Sequence, residues 1–262
     1  MVIGALIDAG GDPNHLEAEL KKLHMEDEYE LKVSKVVKNG ITSTKFDVIL
    51  TNEHQHSHQA HTHEKEHSHD HDENHSHGHS HQENHSHGHD DHHHRSYKGI
   101  VKLIESADFS QEVKIIALNI FKKIGIAEGK IHGVALDDVH FHEVGAVDSI
   151  IDIVGAAILL EHLQIDIIKS SAIPVGSGKI WIDHGVYPVP APATLEILRG
   201  IPLAESELKA ELATPTGAAI VAVLAEEFGT LPAMKVDAIG YGAGTKTFPK
   251  HPNVLRVMIG QE

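Results

Sequence analysis

Residues 148–174, DSIIDIVGAAILLEHLQIDIIKSSAIP, decide how this chain folds. Residues 148–163 are apolar around most of the helical circumference, as in a helix buried on nearly every side, and 165–174 reads as a short buried strand. Outward from that pair the alternation continues. Towards the C-terminus, 190–199 reads as a helix with Gly200 behind it, 216–228 as a helix launched by Thr214-Pro215, and 234–239 and 254–259 as strands. Towards the N-terminus, Ser96 and Ser110 are placed to cap helices over 97–106 and 111–124, and Asp12-Pro13 opens a helix over 13–24. Residues 29–38 and 41–50 alternate as two strands around Asn39-Gly40, a strong hairpin signal. Residues 2–9 read as the end of a helix already under way. The class is α/β or mixed α+β, a layered domain interrupted by a long disordered His-rich insertion. Three parts are expected: a small α+β part over 1–51 with a truncated start, the insertion over 52–95, and an α/β part over 96–262.

Composition narrows the chemistry. The chain has 262 residues, 22 Lys plus Arg against 38 Asp plus Glu for a formal charge of −16, 26 His and no Cys. Without cysteine there is no disulfide scaffold, thiolate metal site or cysteine nucleophile. An acidic balance argues against a nucleic-acid partner, because that affinity rests on Lys and Arg neutralising phosphates. The opening residues lack the basic start of a signal peptide, and no apolar run is long enough for a membrane span, so the expected setting is cytoplasmic with no membrane partner.

Eighteen of the 26 histidines fall between His54 and His94, in near-repeats such as ENHSHGHSHQ from Glu73 and ENHSHGHDDH from Glu83. His75, His77, His79 and His81, then His85, His87 and His89, stand at the i, i+2 spacing at which a flexible chain wraps several imidazoles around one divalent ion. The composition cannot bury apolar surface, so no secondary structure is expected. Catalysis needs ligands held in place, so the tract reads as metal storage or delivery, with a solubilising linker as the bland alternative.

An ordered site must lie elsewhere. His140 and His142 flank Phe141, Glu143 follows, and Asp148 and Asp152 stand one helical turn apart on one face of the 148–163 helix. Two imidazoles and up to three carboxylates could hold a divalent cation; equally, Asp148 could simply cap its helix and the histidines bond to carbonyls. His184 precedes a Pro-rich turn. Thr214, Thr216 and Gly217 open a helix whose free N–H groups suit a phosphate or carboxylate. Gly242 and Gly244, followed by Lys246, would let backbone approach an anion.

The segments HFHEVGAVDSIIDIVGAA from His140, IPVGSGKIWIDHGVYPVPAPATLEILRGIP from Ile173, ATPTGAA from Ala213 and IGYGAGTKTFPKHPNVLRVMIG from Ile239 together resemble the LarC family, nickel insertion proteins of nickel-pincer cofactor biosynthesis. The resemblance covers essentially all of the chain outside the tract. It implies a CTP-dependent cyclometallase that inserts Ni²⁺ into pyridinium-3,5-bisthiocarboxylic acid mononucleotide, forming Ni–C and Ni–S bonds, for use by lactate racemase. CTP with Mg²⁺ or Mn²⁺ and a homo-oligomeric assembly are implied too. Within that picture His140, His142 and Glu143 serve as metal ligands, Asp148 and Asp152 as ligands or their supports, and His184, with Glu143, as catalytic groups. Thr214, Thr216 and Gly217 surround the phosphate, with Gly242, Gly244 and Lys246 also on the cofactor. Members of that family usually begin with a further strand and Gly-rich turn and continue into a C-terminal domain, so the chain reads as a fragment. A non-catalytic nickel storage protein or metallochaperone is the competing expectation, and a metal-dependent hydrolase a third.

Overall fold

The computed structural model describes residues 1–51, 95–141, 147–182 and 185–261. The expectations for the histidine tract, His142, Glu143 and His184 fall outside them.

Helices begin where the capping residues stand. Behind α1 (Val2–Asp8), Asp12 accepts from the Asn14 N–H at 2.9 Å, and Pro13 opens α2 (Pro13–Leu20). The expected helix over 13–24 tightens into a 3-10 turn at Lys21–Leu23 and stops at His24, whose φ of 53° is left-handed. Ser96 and Ser110 cap α3 (Tyr97–Ser106) and α4 (Gln111–His132) by accepting from the Gly99 and Val113 N–H groups, both at 3.1 Å. Helix α4 runs past the expected end at 124. Gly125 does not break it; a Cβ there would stand 2.6 Å from Leu136 Cδ1, so the glycine makes room for a packed neighbour. The stop is Gly133, at φ 70°.

The remaining elements are α5 (Val147–His162), β3 (Ile168–Ser170), β4 (Ile173–Pro174), β5 (Lys179–Ile182), β6 (Gly185–Pro188), α6 (Pro192–Ile197), β7 (Leu203–Ala204), α7 (Pro215–Leu224), β8 (Ala225–Phe228), β9 (Lys235–Ala243) and β10 (Val254–Gln261); ahead of them stand β1 (Tyr29–Lys38) and β2 (Ile41–Leu50). The main sheet has the order β1-β2-β9-β10. Strands β1 and β2 pair antiparallel from Tyr29↔Leu50 to Lys38↔Ile41, closed by left-handed Asn39 and Gly40 as the hairpin signal requires. Strands β2 and β9 run parallel, joined at Thr44↔Gly242. Two expectations are corrected. The run 165–174 is two strands, because β3 pairs with β8 and β4 with β7. The helix expected over 216–228 ends at Leu224, and the next four residues are drawn into the pairing with β3.

Helix α1 lies directly on the sheet, and its backbone comes so near that a Cβ on Gly240 or Gly242 would fall on the Ala5 or Met1 carbonyl oxygen. Asp8, at the end of α1, fastens this layer. It accepts from the Thr44 hydroxyl (2.7 Å), the Tyr241 N–H (2.8 Å) and the Lys35 ammonium. Burial alone would raise its carboxyl, but those three donors outweigh it and hold the group below the usual carboxylate range. Behind α1 stands the helical layer of α4 and α5, with α2, α3, α6 and α7 around them. Ile3, Leu16, Ile104, Phe121, Phe141, Ile150, Ile151, Leu159 and Ala219 share one core cluster. The fold is thus a mixed α/β layered structure, and among the described residues no helix is long and apolar enough to cross a membrane.

The residues bounding the tract meet at one place. The Thr51 N–H donates to the Glu28 carbonyl (3.1 Å), and the Arg95 guanidinium bonds the Glu28 carboxylate (2.7 Å). Ser96 then bridges to His140.

Candidate functional site

Helix α5 is so apolar that Ile150, Ile151, Ile153, Val154, Ala156 and Ala157 are all fully buried. Two carboxylates interrupt this pattern: Asp148 in the first turn, where the helix dipole favours anions, and Asp152 one turn further on. Both line a cavity of about 530 Å³, and Ser149 lies between them. The Asp148 carboxylate accepts from the Ser149 N–H at 2.8 Å. Burial pushes the Asp152 carboxyl up; the Met1 α-ammonium draws it part-way back, and the charge of Asp148 pushes it further up.

Three other segments complete the walls. Strand β5, held by its antiparallel partner β6, brings Ile180, Trp181 and Ile182. Trp181 is 82 % exposed, an unusual position for an indole. The start of α7 brings Thr214, Pro215 and Thr216. Thr214 caps this helix by accepting from the Gly217 N–H at 3.3 Å, and Pro215 has no N–H. The first free donor of α7 is therefore the Thr216 N–H. Glu211 and Lys246 close the ring. The Lys246 carbonyl accepts from Lys38 Nζ (3.2 Å) and Asn253 Nδ2 (2.9 Å), which ties its loop to the β1–β2 hairpin.

Of the residues singled out by sequence, Asp148, Asp152, Thr214, Thr216 and Lys246 share this cavity, although they come from three distant parts of the chain. Gly217 stands just behind the rim as the donor to Thr214. Gly242 and Gly244 do not line this cavity; a Cβ on Gly242 would fall on the Met1 carbonyl, and one on Gly244 would stand 2.5 Å from Asn253 Nδ2, so both glycines admit close neighbours. His140 is exposed and does not line the cavity. Its Nδ1 lies 3.2 Å from the Asp138 carbonyl. A carbonyl only accepts, so any hydrogen bond at this contact is donated by Nδ1. Among the described residues no three His, Asp or Glu side chains converge as a metal site.

Sequence reading missed Glu211 and Trp181. Trp181 carried a signal, being the chain's single tryptophan in a short strand. Glu211, three residues before the Thr214 cap, carried none, since its position depends on pairing with a remote segment.

Comparison with known proteins agrees with these motifs. The family model described as nickel insertion protein matches residues 1–262. A pyridinium-3,5-bisthiocarboxylic acid mononucleotide nickel insertion protein of Geobacillus kaustophilus is 50% identical over 262 residues, covering 100% of this chain and 57% of the relative. Proteins of the same name from Clostridium kluyveri and Staphylococcus epidermidis are 45% identical over 262 residues and 43% over 258, covering 100% and 98% of this chain and 59% and 55% of their own lengths. The chain thus spans little more than half the length of these curated relatives. No solved structure matches it. A family match from the first residue to the last, with relatives of this identity on either side of the tract, establishes that the chain belongs to the nickel insertion protein family.

Proposed function

We propose that this chain forms the nickel-inserting part of a cyclometallase acting on pyridinium-3,5-bisthiocarboxylic acid mononucleotide, and that its cavity is the place of reaction. The observation that carries the reading is the meeting of Asp148 and Asp152 with the start of α7 and Lys246 around one space of about 530 Å³, enough for a mononucleotide. The substrate joins a cationic ring, two anionic thiocarboxylates and a phosphate. Thr216 and the α7 start, with Thr214 and Gly217 shaping it, offer N–H and hydroxyl donors to the phosphate. Lys246 opposes a thiocarboxylate, and the acidic wall offsets the ring charge.

Nickel is the second substrate. Asp148 and Asp152 are its proposed cavity ligands; His140, which stands outside the cavity, is proposed with His142 and Glu143 to bind the ion and pass it on to them, and the histidine tract gathers Ni²⁺ ahead of all five. Nickel–carbon bonding displaces a ring proton, which needs a base, and His184 is the candidate read from sequence. CTP hydrolysis with Mg²⁺ or Mn²⁺ would drive the step. One lysine stands among three carboxylates, and the α7 donors are given to the mononucleotide phosphate, which leaves a poor setting for a triphosphate, so CTP is assigned to the part of the relatives that this chain does not cover. A cytoplasmic setting, a homo-oligomeric assembly and delivery of the product to lactate racemase complete the proposal.

The test uses protein extended to the full length of its relatives. It is incubated with Ni²⁺, CTP, Mg²⁺ and the mononucleotide, and the nickel-pincer product is followed by absorbance and mass. Product is expected from the wild type and not from Asp148→Ala combined with Asp152→Ala. Tight nickel binding without product would instead make the protein a carrier, and normal product from the double variant would remove the cavity from the reaction.

A further inference from the structure

The cavity has one carboxylate to which neither the motifs nor the ligand set gives a task. Glu211 stands on a strap that is fastened across the segment between β4 and β5. The Leu212 N–H donates to the Val175 carbonyl at 3.1 Å, Gly176 bridges to Glu211, and the Leu208 carbonyl accepts from both the N–H and the hydroxyl of Ser177 at 3.0 Å. The crossing is so close that a Cβ on Gly176, itself at φ +81°, would fall on the Ala210 carbonyl oxygen. This backbone cannot shift without breaking those bonds, so the Glu211 side chain is delivered to the cavity from a fixed origin. Among the described residues its carboxylate has no hydrogen-bond donor, while the Lys246 charge acts on it across the space.

Resting on the proposed reaction, we infer that Glu211 is the general base that removes the ring proton as nickel bonds to carbon. The balance is simple. The electron pair of the breaking C–H bond becomes the Ni–C bond, the proton passes to a Glu211 carboxylate oxygen, and nickel stays divalent, so no oxidant or reductant takes part. The two aspartates are poor candidates because a carboxylate that ligates nickel has its lone pairs engaged on the metal. They share one wall on α5, and Glu211 comes from another, so a ring between them presents nickel on one side and a base on the other. Burial pushes the Glu211 carboxyl up and Lys246 draws it part-way back, which brings it nearer the basicity that proton abstraction needs than a carboxylate in water. Among the described residues, Asp148, Asp152 and Lys246 are the other ionisable groups on the cavity wall.

The experiment uses full-length enzyme with Ni²⁺, CTP, Mg²⁺ and the mononucleotide, and measures single-turnover product formation beside the separate binding of Ni²⁺ and mononucleotide by calorimetry. For Glu211→Gln the insertion rate falls by roughly 10²- to 10⁴-fold, the usual contribution of a positioned base, and both affinities are unchanged. Formate restores activity to Glu211→Ala, and Glu211→Asp, slowed at proton transfer, shows a primary isotope effect with substrate deuterated at the reacting carbon. A Glu211→Gln rate equal to wild type, a loss explained by weaker binding alone, or an absence of formate rescue overturns the assignment. If His184→Ala is then the variant that loses the step, the nickel-insertion reading survives with a different base. A wild type that yields no product overturns the nickel-insertion reading and this assignment together.

Discussion

Asp152 shows what a carboxylate costs on a buried helix. Its spacing from Asp148 makes the pair legible in the sequence, because i, i+4 positions share a helix face. What the spacing does not convey is the degree of desolvation on an otherwise buried helix, which raises the carboxyl above its ordinary range. A carboxyl whose folded-state pKa lies above the unfolded one binds its proton more tightly when folded. Stability therefore falls as pH rises from the unfolded value through the folded value, and the whole penalty is present above that. Asp152→Asn keeps the shape and removes the charge. Its melting temperature is expected to exceed that of the wild type at neutral pH, with the difference vanishing below about pH 4, near the ordinary carboxyl value, where both side chains are neutral. Calorimetric melting across pH measures this, and the same variant should bind nickel at least about tenfold more weakly. A variant less stable at pH 7 would mean that the ionised carboxylate has a partner worth more than its burial. Gly242 teaches the opposite lesson. A glycine run before a lysine reads as an anion loop, and at Gly242 the missing side chain also makes room for α1, whose distance from the strand no local pattern reveals.

At the scale of elements, caps were legible and ends were not. Asp12, Ser96, Ser110 and Thr214 each start a helix as placed, because a capping side chain acts on N–H groups two or three residues away. Endings depend on distant partners: α4 passes Gly125 because Leu136 fills the gap, and α7 gives way at Leu224 because β3 offers a strand to pair with. The short stretch into Phe141 shows the same dependence. Phe141 is fully buried, its ring 6.3 Å from that of Phe121, and its N–H reaches the Arg95 carbonyl at 3.5 Å. It therefore pins the chain between His140 and His142 to α4. Phe141→Ala is expected to cost about 3–5 kcal/mol, the range for a buried phenylalanine truncated to leave a cavity, with the denaturant m-value unchanged. Urea unfolding provides the measurement. A loss below about 1 kcal/mol would show that the ring contributes little to the core.

For the whole molecule, alternation of helices and strands identified a layered mixed fold, whereas the sheet order lay beyond reach because its central parallel contact joins Thr44 to Gly242. The other long-range fact is where the tract departs and returns. Thr51 and Arg95 both bond to Glu28, and a six-residue link, with a reach of about 20 Å, is enough to join positions fastened to one residue. Replacing residues 52–94 by six Gly and Ser residues should therefore leave every described element intact. The composition of residues 52–94 gives the expectation of a chain without secondary structure, for which closure entropy scales with the logarithm of length, so shortening 43 residues to six is expected to add about 1–2 kcal/mol of stability. The shortened chain also loses 18 of 26 histidines and a set of carboxylates, so the nickel bound per chain should fall steeply while the cavity is untouched. Denaturant unfolding and elemental analysis of the same samples test both halves. If the shortened protein unfolds or precipitates, residues 52–94 support the folded body. If it keeps its full nickel content, the ions sit on the folded part and the tract is no reservoir. If it is stable and nickel-poor, insertion at saturating nickel should proceed at the rate of the parent, and only at scarce nickel should the parent hold the advantage, because concentrating ions near the cavity matters only when they are few.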